Sequence, residues 1–172
     1  MDALLRDGLL AGLRVTVSGG PFGDAAARAC AALGADVVSE GATVVVFDAE
    51  GALSVAVAGV DGVHAALDGA WDFVRPAAAA AMIPDARGGK VVVIAPRPGD
   101  AHRVAARSGL ENLARTLGIE WARFAIRTVT VLPGAATTED EVAQLVAYLA
   151  SGAGDYFSGC AITLGAVDAS GG

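Results

Sequence analysis

Apolar residues follow two rhythms along this chain. Short β-branched runs at Leu13–Ser18, Ala35–Val38, Ala42–Phe47, Lys90–Ala95 and Ile126–Leu132 have strand length and composition. Between them lie longer, alanine-rich stretches with helical spacing. Asp24–Leu33 predicts a helix closed by Gly34. Val63–Met82 predicts a helix in two pieces, because Pro76 lacks the amide proton that a helix interior needs. Ala106, Leu110, Leu113 and Leu117 follow at steps of four, three and four, which puts them on the sheet-facing side of a helix over Ala101–Leu117. Thr138 and Glu141 form a capping box ahead of Glu139–Ala150, where Val142, Leu145, Val146 and Leu149 give a core-facing stripe. Tyr156–Leu164 predicts a last strand, and Lys90–Ala95 reads as the central one. Leu53–Val60 fits either a short strand or the start of a helix.

One junction is irregular. Ala35–Val38 and Ala42–Phe47 are separated only by Ser39-Glu40-Gly41. A parallel pair needs a crossover of about a dozen residues or more. One of these two strands is therefore expected to be vestigial or paired in another way.

A chain of 172 residues is expected to form one domain, 1–172, and to bury roughly 70% of the surface its unfolded form exposes. With 54% hydrophobic and only 5% aromatic residues, the core must come mostly from Ala, Val and Leu. No apolar run reaches the ~18 residues that span a bilayer. The Met-Asp start with its early charges does not resemble a secretory signal, so a cytoplasmic location is expected. A net charge of −7 argues against nucleic acid, since no basic patch offsets phosphate repulsion. Cys30 and Cys160 lie in apolar segments and read as buried free thiols. The scarce residues matter most. Lys90 is the only lysine, Asn112 the only asparagine, and Tyr148 and Tyr156 the only tyrosines.

After the first strand comes Ser18-Gly19-Gly20-Pro21-Phe22-Gly23, leading into a helix. In that context a glycine-rich turn can hold a dinucleotide pyrophosphate on the helix N-terminus. Gly19 and Gly23 are the residues that would do so. Asp24, however, puts a carboxylate in the first helical turn, where it stabilises the positive pole of the dipole by itself. The turn therefore reads as a plain glycine turn with a self-capped helix, and Gly19 and Gly23 as a vestigial cofactor site. Glu40 reads as a solvated loop residue rather than a ribose-binding acid.

The stretch from Ala101 to Gly134 resembles the core of the short-chain dehydrogenase/reductase family, whose form is Tyr-x-x-x-Lys, then Gly-Ile-Arg-Val-Asn, then Pro-Gly. Here the Tyr and Lys positions hold Arg103 and Arg107, and the Gly and Asn positions hold Ala125 and Thr128. The resemblance extends from about Leu13 to Asp168. It implies an α/β fold, a single Rossmann-like three-layer domain with a mostly parallel sheet, trimmed relative to the full family fold. Other family landmarks are altered. Asn-Asn-Ala-Gly aligns with Phe47-Asp48-Ala49-Glu50, Ser-Ser with the Pro96–Asp100 loop, and Val-Asp-Gly-Gly with Gly165–Asp168. The substrate lid after Pro133-Gly134 is missing.

Carbonyl reduction needs a general acid and a cation that lowers its pKa. Four residues past Tyr148 stands Gly152, and four past Tyr156 stands Cys160, so no Tyr-x-x-x-Lys exists. Arginine keeps its proton and cannot replace the acid. The two histidines, His64 and His102, show no ligand or triad spacing. No catalytic or metal-binding residue is expected. The resemblance implies association through the helix that normally bears the Tyr, here with Ala105, Gly109 and Asn112 on its outer side. The expected function is a catalytically inactive subunit that joins an intact dehydrogenase/reductase in a hetero-oligomer, or self-associates, with no cofactor of its own and NAD(P) if any. Two alternatives stay open: an active NAD(P)-dependent oxidoreductase with a displaced acid, Asp48 or Asp100, and a regulatory module binding a nucleotide or acyl-CoA.

Overall fold

In the computed structural model, which describes residues 5–55 and 59–165, strands and helices alternate along the chain with two exceptions. The elements are β1 (Arg14–Val17), α1 (Pro21–Ala32), β2 (Asp36–Val37), β3 (Val44–Asp48), α2 (Ala49–Val55), α3 (Val60–Ala77), β4 (Gly89–Ile94), α4 (Ala101–Glu120), β5 (Ile126–Pro133), α5 (Glu139–Ala150) and β6 (Cys160–Leu164). The exceptions are β3, which follows β2, and α3, which follows α2. The strands form one sheet in the order β2-β1-β3-β4-β5-β6, every neighbouring pair parallel. Helices cover both faces. This is a single Rossmann-like α/β domain of three layers.

The β-branched runs explain the layering, because parallel strands buried on both faces read as continuous apolar sequence. Val15, Val44, Val46, Val92, Ile94, Val129 and Val131 pack with Phe22, Ala26 and Cys30 of α1 and with Val142, Val146 and Leu149 of α5. The residues between them, Val45, Phe47, Val91, Val93 and Ile126, pack with Ala66, Ala70 and Val74 of α3 and Ala106, Leu110 and Leu117 of α4. Each fully buried Val, Leu, Ile or Phe side chain among these is worth roughly 1.5–3 kcal/mol, and each alanine less. Buried alanines on α3 let that helix sit close to the sheet. Trp71 of α3 stacks on Trp121 just past α4, ring centroids 6.3 Å apart. Thr128 and Thr130, fully buried on β5, donate their hydroxyls to the carbonyls of Ala114 and Leu110 on α4.

The irregular junction resolves in an unusual way. β2 is only two residues long, and both it and β3 pair with β1, on opposite sides, level with Val15. The loop 38–43 therefore has to cross only about two strand spacings of ~4.8 Å. It needs no helix, because a strand this short requires almost no return along the sheet. Val38 N donates to Val15 O at 2.9 Å, Thr43 N to Arg14 O at 3.0 Å, and Arg14 Nη2 to Glu40 O at 2.8 Å.

Several expectations shift by a residue or a turn. On α4, Ala114 takes the buried place expected of Leu113, which is half-buried. The last strand begins at Cys160, since Gly152–Tyr156 forms a 3-10 turn and Gly159 has φ 65°. Cys30 is buried but Cys160 only half-buried, and both are free thiols. Leu53 is helical, within α2. Pro76 does not break α3; the helix runs through it into a π-helical turn at Ala78–Met82. Of Gly165–Asp168, only Gly165 lies within the described residues.

α4 crosses the start of β6 closely. A Cβ on Gly118 would lie 2.7 Å from Gly159 Cα and 3.0 Å from Thr128 Oγ1, both fixed atoms. Gly118→Ala is expected to destabilise the fold by about 1–3 kcal/mol through overpacking. Gly152→Ala, with nothing within 4 Å of the added carbon, is expected to change little. Urea unfolding of both variants beside the wild type checks this.

Candidate functional site

The site lies along the C-terminal edge of the sheet, where β1 turns into α1 and β3 turns into α2. α1 begins with Gly20 as N-cap and Pro21 in its first turn, with no side-chain cap of its own. Its orphan amides are met by a distant residue. Phe22 N and Gly23 N both donate to Asp48 Oδ2 at 2.9 Å. Asp48 Oδ1 accepts from Glu50 N at 2.9 Å and Gly51 N at 3.3 Å, at the start of α2. Asp48 N donates to Ser18 Oγ at 2.7 Å. A carboxylate only 1% exposed thus joins the N-termini of two helices, where both dipoles favour a negative charge. Burial pushes its carboxyl above the ordinary carboxylate value, and the backbone donors of Gly23, Gly51, Glu50 and Phe22 pull it down.

The glycines fit this arrangement. A Cβ on Gly20 (φ 139°) would collide with Asp48 Oδ2 and stand 2.8 Å from Gly51 Cα. A Cβ on Gly51 would collide with Gly19 O, and one on Gly23 with Ser18 O. The turn 18–20 and the start of α2 are therefore packed backbone to backbone.

Charged side chains fill the rest of the cleft. Arg103 Nη1 and Nη2 clasp Glu50 Oε2 and Oε1 at 2.9 and 3.0 Å, a bidentate pair. Arg97 N donates to Glu50 Oε2 at 2.7 Å. The Arg97 guanidinium reaches Glu139 Oε1 at 2.7 Å and Thr137 O at 3.1 Å, and lies 4.4 Å from the centre of the Phe22 ring. Arg107 donates to Pro133 O at 2.9 Å and to Pro96 O. Burial alone would raise the Glu50 carboxyl, but Arg103, the Arg97 amide and both guanidinium charges hold it below its ordinary value. The bond to Glu50 pushes Arg103 up, and burial pulls Arg107 down.

The residues singled out in the sequence divide accordingly. Gly23 gives its amide to Asp48, while Gly19 is exposed, with only its carbonyl close against Gly51 of α2. Asp24 is exposed and makes no capping bond. The carboxylate on the dipole is Asp48, a residue that arrives from another strand. Arg103 and Arg107, at the Tyr and Lys positions, are a salt-bridge partner and a carbonyl strut. Asp100 is the N-cap of α4, accepting from His102 N and Arg103 N at 3.1 and 3.0 Å. Lys90 is held at the opposite edge of the sheet by Ala150 O, Ser151 O and Asp155. On α4, Ala105 and Asn112 are exposed. Gly109 is half-buried, and a Cβ there would lie 2.8 Å from Leu67 of α3, within the same chain. Asp48, Glu50 and Arg97 were missed as a group. The available signal was a carboxylate ending the wholly apolar run Val44–Phe47.

No family model matches the chain, and no curated sequence does. Solved structures do. The citronellol catabolism dehydrogenase of Pseudomonas aeruginosa aligns at TM-score 0.73 and 22% identity, over 95% of this chain and 98% of that one. A short chain dehydrogenase from Mycobacterium smegmatis gives 0.73 and 20%, over 95% and 97%. A hydroxysteroid dehydrogenase from Escherichia coli gives 0.76 and 14%, over 92% and 98%. The chain has the short-chain dehydrogenase fold. At these identities the likeness speaks for the fold alone.

Asp48→Asn keeps the shape but turns an amide group toward backbone donors, and is expected to cost about 1–3 kcal/mol in urea unfolding. Glu50 gives a pH signature. Its folded-state carboxyl sits below the unfolded value of about 4.3. Its contribution is therefore complete above that value and is lost as pH falls through the lower folded one. The thermal unfolding temperature, followed over roughly pH 3 to 7 across the carboxylate range, is expected to fall less steeply toward acid in Glu50→Gln than in the wild type.

Proposed function

We propose that this chain is a non-catalytic short-chain dehydrogenase-like subunit that associates with an intact dehydrogenase/reductase in a hetero-oligomer. The observation that carries the reading is the occupation of the cofactor end of the sheet by the chain's own groups. In this fold a dinucleotide pyrophosphate rests on the amides that open the first helix. Here Asp48 takes those of Phe22 and Gly23. Arg103 stands where the family's acid would stand, already paired with Glu50, and arginine does not give up its proton. A displaced acid finds little support. Asp48 is saturated by backbone donors, and Asp100 is used as a helix cap.

What the cleft has given up, the helical face retains. α4 exposes Val104 (54%) and Ile119 (73%) along with Ala105 and Asn112, on the helix through which the family resemblance implies subunit contact. The partner supplies the NAD(P) site, and this subunit binds neither cofactor. The regulatory alternative, a nucleotide or acyl-CoA in the old cleft, requires the Asp48 and Glu50 contacts to open.

Calorimetric titration with NADH, NADPH and acetyl-CoA is expected to give no binding heat. Micromolar affinity for either reduced nucleotide would overturn the reading, and affinity for acetyl-CoA alone would favour the regulatory one. Light scattering after co-expression with full-length short-chain reductases encoded beside this chain is expected to give a mixed oligomer. Ala105→Trp, an exposed position, should leave the subunit folded and abolish the mixed oligomer. Gly109 is unsuitable for this test, because bulk there strikes Leu67 first.

A further inference from the structure

Where the loop 38–43 takes the shortcut from β2 to β3, the face of β1 toward α3 is left with a cavity of about 460 Å³. That lies within the roughly 300–1,000 Å³ of small-molecule sites. It sits beside the C-terminal half of α3, which leads toward the N-terminal edge of β4, and so away from the glycine turn.

Thr16, in the middle of β1, lines this cavity and is 8% exposed. Its neighbours in register on the same face are Val45 and, beyond it, Val91. Its hydroxyl makes no hydrogen bond among the described residues. The other buried threonines of this face, Thr128 and Thr130, both spend their hydroxyls on α4 carbonyls. Among the described residues no buried side-chain oxygen lacks a hydrogen-bond partner, so the Thr16 hydroxyl is the part of this otherwise buried residue that reaches the cavity, where it is free to bond a guest.

The remaining polar wall is of one character. Ser39, Glu40 and Asp72 line the same space, and no lysine, arginine or histidine does. Neither carboxylate forms an ion pair among the described residues. Asp72 shares α3 with the apolar lining residues Phe73, Pro76 and Ala77, while Ser39 and Glu40 come from the loop after β2. Pro76 has no N–H to return to the Asp72 carbonyl, and the π-helical turn at Ala78–Met82 follows directly. Such π-turns recur at functional sites.

We propose that this cavity binds a small organic cation with an apolar body, of the arylalkylamine class. The protonated amine meets the Thr16 hydroxyl and the carboxylates of Glu40 and Asp72, and the apolar body lies against Phe73, Pro76 and Ala77. A neutral alcohol of the same shape satisfies Thr16 but gains nothing from the carboxylates. A carboxylate of that shape is repelled.

Proton–nitrogen correlation spectra of the full chain, titrated with benzylamine, benzyl alcohol and benzoate, test this. Benzylamine is expected to give saturable shifts centred on Thr16, Ala42, Phe73 and Ala77. Benzyl alcohol should bind about 5-fold more weakly, and benzoate should not saturate. Thr16→Val keeps the shape, should unfold no earlier than the wild type, and should weaken benzylamine about 10-fold. Asp72→Asn, on an exposed residue, should weaken it about 3-fold and serves should Thr16→Val fail to fold. Absence of saturable benzylamine shifts, shifts centred elsewhere, equal response to the three probes, or undiminished binding in a folded Thr16→Val or Asp72→Asn variant would each overturn the proposal.

Discussion

A carboxylate held by four backbone amides governs the C-terminal edge of this sheet. Two helices begin against Asp48, α2 directly after it in the chain and α1 from across the sheet edge, and each presents orphan N–H groups and the positive end of its dipole. One side chain answers both. Because it is buried, its charge is compensated by those amides rather than by water, so the turn after β1 and the turn after β3 stand or fall together. The close glycine contacts between Gly19, Gly20 and Gly51 are the packing counterpart of this electrostatic tie. With it in place, the concave site where this fold can receive a pyrophosphate is part of the protein's own hydrogen-bonding structure.

The outer layer of charge repeats that logic at lower burial. Glu50, fixed beside Asp48, is the acceptor around which Arg103 and the Arg97 amide converge, and Arg97 reaches on to Glu139. These contacts connect α2, the loop before α4, α4 itself and the start of α5. An isolated surface pair would contribute little. A bidentate, half-buried pair within a network holds geometry more firmly, because each side chain is already ordered by another contact. Arg107 adds a strut between the carbonyls that end β4 and β5.

The shortcut between β2 and β3 affects the other end of the sheet. Shrinking β2 to two residues removes the need for a crossover helix, but it also removes the layer that such a helix would supply over β1. Val37 is left exposed at the edge, and the Thr16 side of β1 opens to a cavity. Closure at one end of the sheet and opening at the other both follow from short connections. In the first, a side chain fills the gap. In the second, nothing in the described chain does.

The local pattern of the sequence determined most of the architecture. β-branched runs buried on both faces demand a parallel sheet with two helical layers, and the Thr138–Glu141 capping box places α5 to the residue. The absence of a Tyr-x-x-x-Lys pair was equally legible, since it depends only on which residue types exist. Edges were less so. Ala114 rather than Leu113 meets the sheet, because the rotation of a helix about its axis is fixed by its neighbours and not by its own spacing. The site was decided by tertiary structure. Asp24, one turn into α1, was the obvious carboxylate by proximity, yet Asp48 from twenty-five residues beyond Gly23 is the one that binds the amides. The outward-facing role expected of Gly109 meets Leu67 of the same chain for the same reason. Sequence spacing specifies which groups share a helix face or a strand face. Only packing brings groups from separate elements within hydrogen-bond distance, and the chemistry at the edge of this sheet consists of such pairs.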